Sequence, residues 1–317
     1  MSGRAAKLRR YAGGLTRTLR HWRPFTLLTA LGGTPLTIKH LDRYGFDLLL
    51  DLRDPAISRP LLLSGDYEPH VARALGAVLR QDTHLLDLGA NIGFFSLLAA
   101  TRCPHGRVFS LEPDPDNFRL LSASIALNGL GGRITAWPFA ASDAAGVAVL
   151  SDLGNPRNLG ARFTSRSRAA LQAHVHGSQP HFSEVRTVRL DELLAKETVD
   201  VIKIDIEGHE PLALRGAEGL LRRCRPVILM EFSPGNIINI AQTRPEDLLA
   251  FLRDLSYRWQ IIGEDGRRHE PSDDAAALLR DLQRSGRHHA DLLLTPHSDG
   301  HPSPQPSPGQ HPCRGPA

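Results

Sequence analysis

Lys203, Asp205, Glu207 and His209 occupy alternate positions of the segment VIKIDIEGHE, residues 201–210, and Ile202, Ile204 and Ile206 fall between them. Such a run predicts a strand, and a central parallel strand is ordinarily apolar on both faces. Charges there are costly unless they are paired or put to use. Pairing is available, because Lys203 can meet a neighbouring carboxylate. Use is available too, because strand ends in an open sheet face ligands. The chemistry on offer is acid–base: Asp205, Glu207 and His209 can each take a proton from a reacting group. His209 has the unperturbed pKa nearest neutrality, but its place also suits a residue that caps or packs against the next helix.

A second set surrounds LLDLGANIGFF, residues 85–95. An apolar run stops on Asp87 and continues through Gly89, Asn91 and Gly93. Glycine tolerates positive φ and lets a backbone approach a ligand closely. The turn opens a predicted helix, whose first N–H groups face whatever lies above. Glu112 comes nineteen residues after Gly93, at the end of the next predicted strand, where a carboxylate can accept from both hydroxyls of a ribose. Dinucleotides and S-adenosylmethionine (SAM) both use such a constellation. Pyrophosphate binding wants G-x-G-x-x-G. This turn reads GANIG, with no glycine three residues after Asn91. Asp87 would repel a phosphate, whereas SAM carries a sulfonium and an ammonium and no phosphate. The residues therefore favour SAM. AASD, residues 140–143, closes the third strand. Ser142 and Asp143 there are adenine contacts in a SAM domain, or else ordinary turn residues.

The elements that must position these groups alternate. Strands are predicted at 84–89, 106–113, 133–142, 199–208 and 225–234, with final strands in RWQIIGED and HADLLLTP. Helices are predicted at 94–103, 115–130, 210–224 and 245–257, with another near 68–80. Alternation of this kind means a mostly parallel α/β sheet covered by helices. Two regions stand outside the rhythm: a lead-in over 25–80, read as short strands and a turn before the helix, and a long polar insertion over 151–185.

The 317 residues carry a formal net charge of +4, and 41% are hydrophobic, an ordinary globular balance. The basic excess lies in the first 24 residues, which hold Arg4, Lys7, Arg9, Arg10, Arg17, Arg20 and Arg23 and no acid. The remainder is near neutral, which argues against a nucleic-acid partner. The arm is read as a frayed extension or a peripheral membrane contact. Cys103, Cys224 and Cys313 are scattered, so neither a disulfide framework nor a CxxC metal site is expected, and a cytoplasmic location fits. The tail over 295–317 is rich in Pro, Ser and His and is expected to be disordered. The expected organisation is an arm and lead-in over 1–56, one domain over 57–294, and this tail.

LDLGANIGFFSLLAA, SLEPDPDNFRLLSASIALNGL, AASD, VRLDEL and VDVIKIDIEGHEPLALRGAEGLL resemble, in order and spacing, the FkbM-type family of SAM-dependent methyltransferases. ISRPLLLSGDYEP, with Gly65, Tyr67 and Glu68, is similar to that family's lead-in. The resemblance covers roughly residues 57–235. It implies a Rossmann-like class I methyltransferase fold: seven strands, mostly parallel, helices on both faces and an antiparallel final hairpin. It implies methyl transfer, usually to a hydroxyl oxygen of a sugar, polyketide or other secondary metabolite. Carried over, Asp87, Gly89, Asn91 and Gly93 line the methionine part of SAM, Glu112 holds the ribose, Ser142 and Asp143 lie near the adenine, and Asp205 lies near the methyl donor. Asn158 and Gly160 fall in a substrate-side loop. The acidic residues would permit a divalent metal, with no ligand set assigned. The acceptor expected is a small molecule or glycan. Competing readings are an NAD-dependent oxidoreductase acting on a nucleotide sugar, which the turn and the lack of a Tyr-x-x-x-Lys pair oppose, and a non-catalytic SAM-binding module. A nucleic-acid methyltransferase would want an N-P-P-Y-type motif where DIEG stands.

Overall fold

A computed structural model of the chain describes residues 28–30, 34–175, 179–265 and 267–297. The basic arm and the tail beyond His297 lie outside the described residues. Strands are numbered β1 Leu28–Ala30, β2 Thr34–Leu41, β3 Phe46–Asp51, β4 Leu85–Leu88, β5 Val108–Leu111, β6 Ile134–Trp137, β7 Ala140–Ala141, β8 Gly146–Ser151, β9 Phe163–Ser165, β10 Phe182–Val188, β11 Val201–Ile204, β12 Val227–Phe232, β13 Tyr257–Ile262 and β14 Ala290–Pro296. The last of these runs two residues into the stretch read as tail.

The main sheet has seven strands in the order β13-β14-β12-β11-β4-β5-β6. β12, β11, β4, β5 and β6 are mutually parallel, and β14 runs antiparallel between β12 and β13. This is the class I methyltransferase arrangement the resemblance implied. β4, β5 and β11 are buried at every position, as helices on both faces require. The chain moves outward from β4 to β6, then returns to β11 on the other side of β4. That reversal opens a crevice above the carboxyl ends of β4 and β11.

Two predicted elements are each split. The strand expected over 133–142 breaks at Pro138, which cannot donate to a ladder. Its second half, β7, joins a separate four-stranded sheet, β7-β10-β8-β9. That sheet organises the polar insertion, which contributes β9 and most of β10. The helix expected over 210–224 becomes Glu210–Arg215 and Glu218–Cys224. Gly216 causes the break. A Cβ there would come 2.0 Å from the Ser142 carbonyl oxygen, and the Gly216 carbonyl accepts the Asp191 N–H at 2.9 Å. The Asp191 carboxylate then caps the second helix, accepting from Gly219 and Leu220 at 3.1 and 2.7 Å.

The lead-in is not separate from the core. β2 and β3 form an antiparallel hairpin, and its Leu41, Phe46, Leu48 and Leu50 are buried in one cluster with Leu85, Phe94 and Leu97. Ser124 and Asn128, from the helix Pro115–Leu127 and its end, bond the hairpin backbone at Leu49 and Asp47. Just beyond β3, buried Asp54 accepts four backbone N–H groups: Ala56 and Leu159 on Oδ1, Ile57 and Ser58 on Oδ2, at 2.7–3.2 Å.

Candidate functional site

An open cavity of about 620 Å³ fills the crevice. Its floor is the turn Gly89–Ile92, and one wall is Glu112 and Pro113. The opposite wall is Lys203, Asp205, Ile206 and Glu207; Tyr67, Phe94 and Phe95 close one end, and Gly160, Arg162 and Thr164 lie across the insertion side. The two motifs singled out in the sequence thus face each other across one space.

The turn's composition follows from that closeness. Gly89 has φ +77°, and a Cβ on it would stand 1.9 Å from the Asp205 carbonyl oxygen. Gly89→Ala is therefore expected to push the two loops apart. It should abolish binding of the donor and lower the melting temperature by several degrees, by calorimetry and thermal unfolding. Asn91 also has positive φ, +50°, a conformation asparagine tolerates better than other side chains. Its N–H donates to Glu112 Oε2 at 2.8 Å, its Oδ1 accepts from Ile92 N, and its Nδ2 donates to the Leu159 carbonyl at 2.8 Å. Asn91 is thus a staple between floor, wall and insertion. Gly93, φ +100°, lies outside the cavity: it precedes the helix Phe94–Arg102, where a Cβ would meet Leu121 Cδ1 at 2.7 Å.

Asp87 also does not line the cavity. It is fully buried beneath the turn, where Oδ2 accepts from Ser96 Oγ at 2.5 Å and Ser96 Oγ meets Ser110 Oγ at 2.8 Å. Oδ1 has no hydrogen-bond partner among the described residues. Burial raises its pKa, against the opposing pull of Lys203 and Ser96. Lys203 is its register partner on β11, so the side chain acts on Lys203 rather than on a ligand directly.

Glu112 is where the spacing placed it. It is buried, and its two oxygens each accept one backbone N–H, from Asn91 and Asp114 at 2.8 Å. Burial pushes its pKa up to about 8, with those N–H groups pulling the other way.

Ser142, Asp143 and His209 are brought together with one another but outside the cavity. His209 Nε2 lies 3.3 Å from Ser142 Oγ, Ser142 Oγ donates to Asp143 Oδ1 at 3.2 Å, and Asp143 pairs with Arg166. The cause is the break at Pro138: Ser142 N bonds the Val188 carbonyl of the second sheet, which carries the corner away from the cavity. Burial lowers the His209 pKa to about 4, so the ring is neutral. It packs at the start of its helix, the other reading its position allowed.

The acidic wall is larger than the sequence suggested. Lys203 Nζ lies 3.2 Å from Asp205 Oδ2 and 4.9 Å from the Phe95 ring centroid. Burial disfavours its charge, but Asp205, Asp87 and Glu68 outweigh burial and raise its pKa. Glu207 accepts from Asn236 Nδ2 at 3.0 Å, and burial, with Asp205 and Glu210 beside it, pushes its pKa to about 8. A smaller cleft of about 260 Å³ shares Lys203 and Asp205 with the first and adds Glu68, Glu231 and Asp291. Glu231 faces Asp291 directly in the β12–β14 register, and His70 Nε2 meets Asp291 Oδ2 at 2.7 Å. Burial raises Glu68 to about 7 and Glu231 to about 10. Glu231, Asp291 and His70 were missed. The signal for Glu231 was present in VILMEF, a single charge closing an apolar strand. Among the described residues no three His, Cys, Asp or Glu side chains converge to hold a metal ion. An acidic wall opposite Glu112 suits a cationic ligand and repels a pyrophosphate.

The chain is similar to methyltransferase sdnD of Sordaria araneosa, 26% identical over 183 residues, 51% of this chain and 71% of that protein. It is similar to 31-O-demethyl-FK506 methyltransferase FkbM of Streptomyces tacrolimicus, 28% identical over 165 residues, 45% of this chain and 62% of that one. It is also similar to hexuronic acid methyltransferase AglP of Haloferax volcanii, 28% identical over 165 residues, 51% of this chain and 61% of that one. The match therefore spans less than two thirds of the last two relatives. The family model described as the methyltransferase FkbM domain matches residues 87–259, more than half of the chain, and the chain belongs to that family of SAM-dependent methyltransferases.

Proposed function

We propose that this methyltransferase acts on a hydroxyl oxygen of a sugar, glycan or secondary metabolite. The observation that carries the reading is the sharing of Lys203 and Asp205 between the donor cavity and the adjoining acidic cleft. SAM supplies a methyl group on a sulfonium that is already a good leaving group. The chain has two tasks, alignment and removal of the acceptor's proton. Glu112, its two oxygens each held by one N–H group, would hold the ribose diol. The Gly89–Ile92 backbone would hold the methionine portion. Asp205 and Glu207 give a cation its counter-charge. Asp205, which lines both spaces, takes the hydroxyl proton, with Lys203 fixing the carboxylate at 3.2 Å. By their names, two relatives methylate 31-O-demethyl-FK506 and a hexuronic acid, in keeping with this acceptor class.

Calorimetric titration with SAM, S-adenosylhomocysteine and NAD tests the reading. Micromolar SAM binding and no NAD binding are expected. Glu68, Glu207 and Glu231 hold protons below about pH 7, 8 and 10. A sulfonium favours their ionised forms, so SAM binding should release protons and tighten as pH rises. The preference for SAM over neutral-sulfur S-adenosylhomocysteine should grow about tenfold from pH 6 to 8.5. NAD binding, or a ratio indifferent to pH, would count against the assignment.

A further inference from the structure

Glu207 lines the cavity, yet what fixes it there lies outside. Its backbone has φ +55°, in the left-handed region, and Gly208 follows at φ +96°. Such backbone persists only where the surroundings hold it. Buried Glu210 holds part of it, its Oε1 accepting from Ile206 N and Gly208 N at 3.1 and 3.2 Å. These bonds set the loop and do not touch the Glu207 carboxylate.

The carboxylate is held from a different element. Beyond β12 the chain makes a short helix, Pro234–Asn236, and runs on into a π-helical turn, Ile237–Ala241. Such turns are rare and gather at functional sites. Asn236, at the junction, donates from Nδ2 to Glu207 Oε2 at 3.0 Å. The two segments are in contact there, because a Cβ on Gly208 would stand 2.5 Å from the Asn236 carbonyl carbon and oxygen. The far side of the π turn is tied to the insertion, where Ser165 Oγ donates to the Ile240 carbonyl at 2.8 Å. Asn236 is therefore braced between the acidic loop and β9.

The charges around Glu207 explain why a neutral donor is useful. Asp205 and Glu210 beside it, Glu68 from the lead-in and Glu231 from β12 face it with like charge, and Lys203 of β11 faces it with opposite charge. Burial and the acids disfavour the ionised carboxylate. An amide N–H donated to its oxygen favours that form and adds no charge of its own.

We propose that Asn236 is a positioning residue of the methyl-transfer site, which fixes the Glu207 carboxylate at the cavity wall and holds it in its charged form. Its effect on the donor rests on the reading of this cavity as the SAM site; its effect on Glu207 does not.

The test follows Glu207 in the ligand-free full chain, by carbon-13 NMR of protein labelled at the glutamate carboxyl carbons. The Glu207 signal is the one missing from Glu207→Gln. Asn236→Ala should raise the Glu207 titration midpoint by about one pH unit. Asn236→Asp keeps the shape, removes the donor and adds a like charge, so it should raise the midpoint further. Thermal unfolding shows whether each variant is folded, and the aspartate variant answers the question if the alanine variant is not. At pH 8, calorimetry should find SAM about fivefold weaker in Asn236→Ala, with S-adenosylhomocysteine within about twofold. In a Glu207→Gln background the same substitution should change SAM affinity by less than about twofold. An unmoved midpoint, or equal losses for the two ligands, would mean that Asn236 only packs the loop and would overturn the proposal. Failure of the unsubstituted chain to bind SAM would sink the reading of the cavity instead, and the midpoint alone would then decide the role of Asn236.

Discussion

Asp205→Asn should lower methyl-transfer turnover by about a hundred- to ten-thousand-fold, while S-adenosylhomocysteine still binds within about tenfold of the unsubstituted chain. The substitution keeps the side chain's size. It also keeps the Asp205 backbone carbonyl against which Gly89 is fitted. Lys203 retains Asp87 and Glu68 as counter-charges. What is lost is the carboxylate between the two clefts, and with it the group that removes the acceptor's proton. Single-turnover assays beside calorimetry separate chemistry from binding. Turnover within about fivefold of the original would move the base to Glu207, and Glu207→Gln would then carry the large loss. A module that bound SAM without catalysis would show no turnover to lose.

Glu112→Ala should weaken SAM and S-adenosylhomocysteine alike by about a hundredfold, from the loss of its hydrogen bonds to a ribose diol. The Asn91 and Asp114 N–H groups would lose their acceptor at the same time. Asp87→Asn should behave differently, leaving affinity within about fivefold, because Asp87 lies under the turn rather than in the cavity. The contrast is measurable by calorimetry in one series. Equal losses at both positions would mean that the buried Asp87–Ser96–Ser110 chain holds the turn in place.

The sheet was readable because its strands are buried on both faces. LLDL and VIKI contain little but large apolar residues and one charge each; the charge in VIKI marks the cavity, and the one in LLDL is buried beneath the turn. The place of Glu112 was readable because a strand, a helix and a fixed rise bring it to the wall of the cavity. Three features were not. Pro138 looked like one residue within a strand, yet it sends Ser142 into a different sheet. The hairpin over 34–51 has no α/β rhythm, and its place in the core depends on contacts with residues 75–81 positions later. Arg162 lies in a stretch without periodicity. Its burial comes from Asp114, 48 residues away, and no local pattern encodes such a partner.

Asp54 has a practical consequence for anyone wishing to graft this catalytic unit into another protein. The boundary suggested by motif similarity falls at residue 57, and a cut there would discard the carboxylate that fastens Leu159 to the start of the helix Ser58–Ser64. The joint belongs upstream of Thr34, because the hairpin leading to Asp54 is buried in one cluster with Leu85, Phe94 and Leu97, although no residue of the hairpin lines the cavity.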